Sequence, residues 1–567
     1  MQTQLRPPPL REVIDEGAPR RLPRRRWRIP PVVTEFFLFY LAAVLRFLYY
    51  GFRYFPQLDD YIQYDKYARF APLGEMIERL GLLASRPIAG VADIAVWSHF
   101  WGGGMILAIL LLGALWTASA LLFRRVFDRL FGCGSLFCVL YLLLPLTFEG
   151  TYWLSAATRV VCGMFFCALS LWLYLRFIEG GRWPYAASFA VAQLAAFGFY
   201  EQTLALAGGA ALGMLLLYLP RRRFCRRALS GLLTLVNLAV YFTFTGLNST
   251  GSLADRMQLV LPWHDGYFDV FLPELLGQMR SAFLGGGWYT LSRGFARGLA
   301  LIADGGWWYL ALFALIALGI GAFCLTPAGA NGRATRRIGS GWAAFAFALL
   351  CIAAAISPFF VVANPWFSLR NTVPALAGLA LLADCALRAL FGRHARSAQQ
   401  TAAIAACLLT LVCGIASVSE LHDYRATYDN DQTALTALAE QLDGADGRIG
   451  ILNLNPSYLA EQNSFYHEHI HGVTESYWAI QGALWAMTDA VPNVYPLATD
   501  SYPYYTAWNR DLKRIGAFDS LWWWDHDTAT LTPLTAAGSD ETGWTLTAPD
   551  GTVMAQVWGH EGAGYIE

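Results

Sequence analysis

Val32-Val-Thr-Glu-Phe-Phe-Leu-Phe-Tyr-Leu-Ala-Ala-Val-Leu-Arg-Phe-Leu-Tyr-Tyr50 leads within four residues into Phe55-Pro-Gln-Leu-Asp-Asp-Tyr-Ile-Gln-Tyr-Asp-Lys-Tyr-Ala-Arg69, and this junction decides how the rest of the chain is read. The first run has about the 20 apolar residues that a membrane-crossing helix needs. The second places two adjacent carboxylates, Asp59 and Asp60, among aromatic side chains where that helix would emerge. Which side of the membrane they lie on then becomes the first question.

Composition answers the class question. Of 567 residues, 56% are hydrophobic, 15% aromatic and only 14% charged, too apolar for a soluble protein of this length and suited to a polytopic α-helical membrane protein. The net charge of zero hides an asymmetry: from His422 onward five Lys/Arg face twenty Asp/Glu, a balance of −15, so the preceding residues carry +15. All ten cysteines, Cys133 through Cys413, lie within or beside apolar segments and read as small buried hydrophobes, with no disulfide framework or zinc site.

Residues 1–31 hold eight arginines and read as a basic cytoplasmic arm on anionic lipid. Because the arm abuts a membrane helix, nucleic acid is not expected as a partner. No small-residue cleavage site follows the first apolar run, so that run is expected to stay as a signal anchor.

Further apolar segments follow to Val418, and about eleven crossings are expected within a membrane domain of residues 32–421. With the N-terminus inside, alternate connections hold Arg124, Arg125 and Arg129; Arg176 and Arg182; Arg221-Arg222-Arg223 with Arg226-Arg227; Arg333, Arg336 and Arg337; and Arg388, Arg393 and Arg396. The positive-inside rule is satisfied from end to end. It places outside the loop 51–90, the Glu149–Arg159 connection, the long segment 246–306, the Asn364–Thr372 loop and an acidic domain over residues 422–567. In that domain Asp431–Leu442 is helical in pattern, and Arg448–Leu454, Asn493–Ala498, Ser520–Trp524, Gly543–Ala548 and Thr552–Trp558 read as strands of a small α/β unit.

Candidate chemistry clusters on the outer side. Two adjacent carboxylates can divide labour, one taking a proton from an attacking hydroxyl while the other orients it or holds a cation; a helix N-cap is the alternative. Leu73–Leu83 has helical apolar spacing and suits an interfacial amphipathic helix. Arg86, in Ser85-Arg-Pro87, can hold a phosphate or contact lipid headgroups. Arg370 lies at the outer start of a span beside Trp366. Glu149 and Glu201 are acids at the edges of apolar segments, where such residues face a cavity or pair with an arginine of a neighbouring helix. Arg46, inside the first span, is a further candidate partner for one of those acids.

The segment 246–306, with Gly285-Gly-Gly-Trp288, suits a lid. In the tail, His467, His469 and His471 align if extended, and Trp522-Trp-Trp524 and Tyr502-Pro-Tyr-Tyr505 can stack on sugars, although core packing is the default for such aromatics.

An acidic pair immediately after the first span, a large outer loop, many spans and an outer C-terminal domain together resemble the GT-C superfamily, integral-membrane glycosyltransferases that use polyprenyl-phosphate-linked sugars. Within it, Leu58-Asp-Asp-Tyr61, Ser85-Arg-Pro87 and Tyr200-Glu-Gln202 most resemble the bacterial O-antigen-type glucosyltransferases of surface polysaccharide. The resemblance implies that Asp59 or Asp60 is the general base and that the sugar leaves a phosphate with inversion, Arg370, with Arg86 and Arg159 behind it, stabilising the leaving group. It also implies that Glu149 with Tyr152, Trp153 and Arg159 lines the sugar pocket and that Tyr200-Glu201-Gln202 hydrogen-bonds the sugar hydroxyls; structural Glu–Arg pairs between helices compete equally. It further implies a polyprenyl-phosphate sugar donor, a cell-envelope glycan acceptor, and a multi-pass location in the bacterial cytoplasmic membrane. The acidic pair lacks the spacer of the Asp-x-Asp form that some members use for a metal, which leaves a divalent cation open and no other cofactor called for. A lipid-linked sugar flippase and a polysaccharide polymerase or ligase are the competing classes.

Overall fold

The structure is a computed structural model that describes residues 30–61, 74, 77–78, 81–251, 258–329, 338–363, 366–391, 394–454, 470, 472–488, 493–497, 515–539, 541–560 and 563–566. Most of the basic arm, most of the expected interfacial helix, His467, His469, His471 and Tyr502–Tyr505 lie outside those residues.

The chain is a helical bundle followed by a small sheet. Helix α1 (Pro31–Leu45) opens with proline at its first position, where the missing N–H would have had no helical partner. Then come α2 (Pro87–Ala95), α3 (Met105–Phe131), the short α4 (Leu136–Leu143), α5 (Phe148–Tyr152) and α6 (Leu154–Gly180). Pro145 explains the brevity of α4, because the residue before a proline is pushed out of helical geometry and Leu144 is extended at ψ 134°. Helices α7 (Trp183–Phe199) and α8 (Glu201–Tyr218) are separated by one extended residue, Tyr200. The remainder of the bundle is α9 (Leu233–Leu247), α10 (Leu272–Arg280), α11 (Gly287–Ala303), α12 (Trp307–Cys324), α13 (Gly341–Ile356), α14 (Leu376–Phe391) and α15 (Ala395–Gln441).

Among the described residues eight helices are long and apolar enough to cross a membrane. Three of the eleven expected segments, α1 with 15 residues, α4 with 8 and α7 with 17, form helices shorter than that. The helices nevertheless thread back and forth between two ends. At one end Arg124 meets Glu35, Arg129 meets Glu179, Arg388 meets Asp384 at 2.6 Å, and Arg221 donates to the carbonyl of Ile338. These contacts draw together the connections that hold Arg124, Arg129, Arg221 and Arg388. The opposite end holds the acidic pair and the Tyr200 junction.

Helix α15 has 47 residues, about 70 Å at 1.5 Å per residue. It runs unbroken through position 422, where the sequence places the start of the outer domain. The sheet beyond it has the order β2-β1-β3-β4-β5-β6-β7, formed by Arg448–Leu452, Asn493–Leu497, Ser520–Asp525, Thr530–Ser539, Gly543–Thr547, Val553–His560 and Ala563–Ile566 numbered along the chain. β1 pairs in parallel with β2 and β3, and the remaining pairs are antiparallel. Helix α16 (Tyr477–Thr488) packs against β2. Strand β4 escapes sequence reading because Pro533 interrupts it. The proline is tolerated because Thr530–Leu534 pairs only with β3 and Thr535–Ser539 only with β5, leaving Pro533 one neighbouring strand.

Candidate functional site

The site is built around the break between α5 and α6. Trp153 leaves helical geometry, so the first N–H groups of α6 lack helical acceptors. The acidic loop supplies them. Tyr54 Oη accepts from the backbone N–H of Leu154 at 2.8 Å, and Asp60 Oδ1 accepts from that of Ser155 at 3.0 Å. Asp60 Oδ2 accepts from the Tyr54 hydroxyl at 2.6 Å and from the Gln57 N–H at 3.0 Å. Asp60 is completely buried, and its partners cap a helix more than ninety residues away in sequence. A carboxylate also suits the positive end of that helix. Burial outweighs the hydrogen bonds and pushes the Asp60 carboxyl up to about 7. Burial, reinforced by the Asp60 charge, also raises the Tyr54 phenol, which stays a proton donor.

Asp59 has different surroundings. Its side chain is partly exposed, and Oδ1 accepts the indole N–H of Trp478 at 3.0 Å. Leu58, just before it, sits at φ +28°, a region that disfavours branched side chains. The buried anchors Gln57 and Asp60 on either side hold that strain in place.

Glu149 on α5 is fully buried and accepts from the backbone N–H of Arg370 at 2.8 Å and the hydroxyl of Ser368 at 3.1 Å; the Arg370 guanidinium lies 3.3 Å away. Ser368 and Asn371 form a capping box that fixes this backbone. The Arg370 guanidinium covers the Trp153 ring at 4.9 Å. Arg370 and Asp60 therefore flank the same helix start.

One to two turns along α6, Arg159 pairs with buried Asp93 of α2 at 3.3 Å. Arg86, at the N-terminus of α2, places Nε 2.8 Å from both carboxylate oxygens of Glu201 and lies over the Tyr200 ring at 4.7 Å. The Tyr200 hydroxyl accepts from Asn371, next to Arg370, at 2.6 Å. Gln202 is buried and donates to the carbonyls of Ala355 and Asn371. Tyr152 is buried among Phe47, Tyr54, Phe148 and Tyr424, its hydroxyl accepting from the Phe55 N–H.

Arg86, Glu201, Gln202, Arg370 and Glu149 are thus linked in one network through Tyr200 and Asn371, Asp60 and Tyr152 adjoin it at the start of α6, and Arg159 and Asp59 find their partners in Asp93 and Trp478. The three arginines keep part of their side chains exposed, whereas Asp60, Glu149, Tyr152 and Gln202 are sealed. Arg46 meets neither glutamate; it donates to the hydroxyls of Thr147 and Thr151 at 2.7 Å each and faces the Phe47 ring. Sequence reasoning passed over Tyr54, Ser368, Asn371 and Trp478. The Ser-x-x-Asn spacing of 368 and 371 was a usable cap signal, but nothing near Trp478 in sequence points to Asp59. Among the described residues no group of three His, Cys, Asp or Glu side chains is placed to hold a metal ion.

Fold and site define a polytopic helical membrane protein with a sheet domain at one end and a polar site at that same end. No family model and no curated protein matches the chain. Among solved structures it is similar to a crystal structure of ArnT from Cupriavidus metallidurans bound to undecaprenyl phosphate, at 15% identity and a TM-score of 0.33, over 90% of this chain and 96% of that one.

Proposed function

We propose that this protein is an inverting glycosyltransferase that moves a hexose from a polyprenyl phosphate carrier to a cell-envelope glycan at the outer face of the bacterial cytoplasmic membrane. The observation that carries the proposal is the division between the two aspartates. Asp60 is committed to capping α6, while Asp59 presents a partly exposed carboxylate held from one side.

In this reaction Asp59 takes the proton of the acceptor hydroxyl as that oxygen bonds to the anomeric carbon. The bond from the anomeric carbon to the phosphate oxygen breaks, and its electron pair leaves with the polyprenyl phosphate. Arg370, Arg86 and Arg159 are the donors for the charge that develops on the leaving phosphate. Each already faces a carboxylate, which holds it in place while part of its side chain stays exposed. The placement of the site's charges at one end of the bundle favours this chemistry over a flippase, which would place ionisable groups along a path through several helices.

The test is transfer by purified protein from polyprenyl-phosphate hexoses to envelope glycan acceptors, with and without a metal chelator. Asp59→Asn is expected to lower turnover by about 10²–10⁴, the range of a lost general base. Wild-type turnover in Asp59→Asn would remove the assignment. Sugar-lipid translocation in vesicles with no transfer to any acceptor would favour the flippase.

A further inference from the structure

The outer sheet domain takes no part in the reaction as written above, yet it reaches the candidate base. Trp478, the second residue of α16, donates its indole N–H to Asp59 Oδ1 across 419 positions of sequence. We propose that Trp478 is a positioning residue for Asp59, and that the C-terminal domain is thereby a working part of the catalytic site. The inference rests on the assignment of Asp59 as base.

Three further contacts make the placement rigid. On the membrane side, Gln57 Nε2 donates to the Tyr424 carbonyl of α15 at 3.1 Å, and Gln432 Nε2 of the same helix donates to the Tyr61 hydroxyl at 3.1 Å. These bonds straddle Asp59. On the domain side, the fully buried Asp431 of α15 accepts the Val473 N–H at 3.0 Å, fixing the chain just before α16. Tyr424 and Asp431 are two turns apart on one uninterrupted helix, about 10 Å along its axis. The loop that carries Asp59 and the helix that carries Trp478 are therefore both fastened to one rod, and the indole bond closes the circuit.

Within α16, Tyr477 stacks on Tyr495 of β2 with ring centroids 5.2 Å apart, and Gln481 donates to the Val494 carbonyl at 3.1 Å. An indole has only two side-chain torsions, so holding it costs little conformational entropy. With Oδ1 engaged the carboxylate cannot rotate freely, and Oδ2 is the oxygen assigned to accept the proton. Misplacing a reacting group by about 1 Å can cost about 100-fold in rate, so a single orienting bond carries weight.

The experiment combines kinetics with a spectroscopic signature. Trp478→Phe keeps most of the ring and removes the donor; it is expected to lower kcat about tenfold while KM for the donor stays within about twofold, as an orienting role predicts. The indole N–H resonance of Trp478 in detergent-solubilised full-length protein, assigned by its loss in Trp478→Phe, is expected to move upfield in Asp59→Ala. An unmoved resonance, or an unchanged kcat in Trp478→Phe, overturns the proposal. If Trp478→Phe does not fold, Val473→Pro keeps the indole but removes the N–H that Asp431 accepts, which frees the start of α16 and loosens the indole's hold on Asp59; the same fall in kcat is expected, and its absence counts against the proposal. If wild-type protein transfers no sugar, the glycosyltransferase reading fails. The indole resonance then decides alone whether Trp478 holds Asp59.

Discussion

Asp59 and Asp60 show how one covalent step along a chain separates two identical side chains. Both follow the same helix, yet Asp60 turns into the bundle and its carboxyl closes three hydrogen bonds, with Tyr54, Gln57 and Ser155. A carboxyl held near 7 in the folded protein and near 3.8 when unfolded binds more protons folded than unfolded between those values. Its contribution to stability is therefore full below about pH 4 and is lost as pH rises through about 7. The difference in thermal unfolding temperature between pH 5 and pH 8 should accordingly be larger for the wild type than for Asp60→Asn, measured in one detergent.

The pair of Glu149 and Arg370 is asymmetric in another way. Glu149 is fully buried, whereas Arg370 keeps about a fifth of its side chain in solvent. Removing the arginine strands a buried charge, at a cost of about 3 kcal/mol or more. Removing the acid leaves a cation that water and the Trp153 ring still reach. Arg370→Ala should therefore lower the unfolding temperature more than Glu149→Gln, and the double variant should recover part of the loss.

At the scale of elements, α15 and α11 are held at close range. Gly294 and Gly298 of α11 face α15, and a Cβ built on Gly298 would fall 2.1 Å from the backbone carbonyl oxygen of Ile415. A backbone atom cannot swing aside as a side-chain tip can, so Gly298→Ala must push the helices apart. Asp423 of α15, fully buried, meets Arg293 and Arg297 of α11, and that separation would break the pairing. Gly298→Ala is expected to lower thermal stability by several degrees and to abolish a cysteine crosslink engineered between α11 and α15. The sequence reads residues 246–306 as a long outer segment with a helical portion, and that much is visible in its pattern. Gly294 and Gly298 serve close packing, a role that depends on what lies opposite and is absent from local sequence. The apolar runs Tyr185–Phe199 and Thr203–Leu219 place a hairpin across Gly198–Gln202, and the structure narrows that connection to the single extended residue Tyr200.

For the whole molecule, two signals of different physical origin agree. Positive charge alternates between successive connections, and among the described residues the structure places Arg124, Arg129, Arg221 and Arg388 of those connections at one end of the bundle through ion pairs and carbonyl contacts. Single cysteines introduced at Arg222 and at Ser539 should react from opposite sides of sealed membranes with an impermeant maleimide, Ser539 from outside. Labelling of both from one side would overturn the proposed orientation.

What the sequence determined by itself was everything governed by the solvent each segment needs: a helical bundle, the charge bias of its connections, a separate acidic sheet-forming end, and an acidic pair beside the first span. Apolar periodicity and charge express transfer free energies, which are local properties of the chain. The tertiary structure alone decided which aspartate is sealed and which stays partly open, which acid holds each arginine, and that an indole 419 positions away meets Asp59. Those outcomes depend on distances between segments remote in sequence, and a buried charge is settled by whichever donors the fold brings within about 3 Å of it.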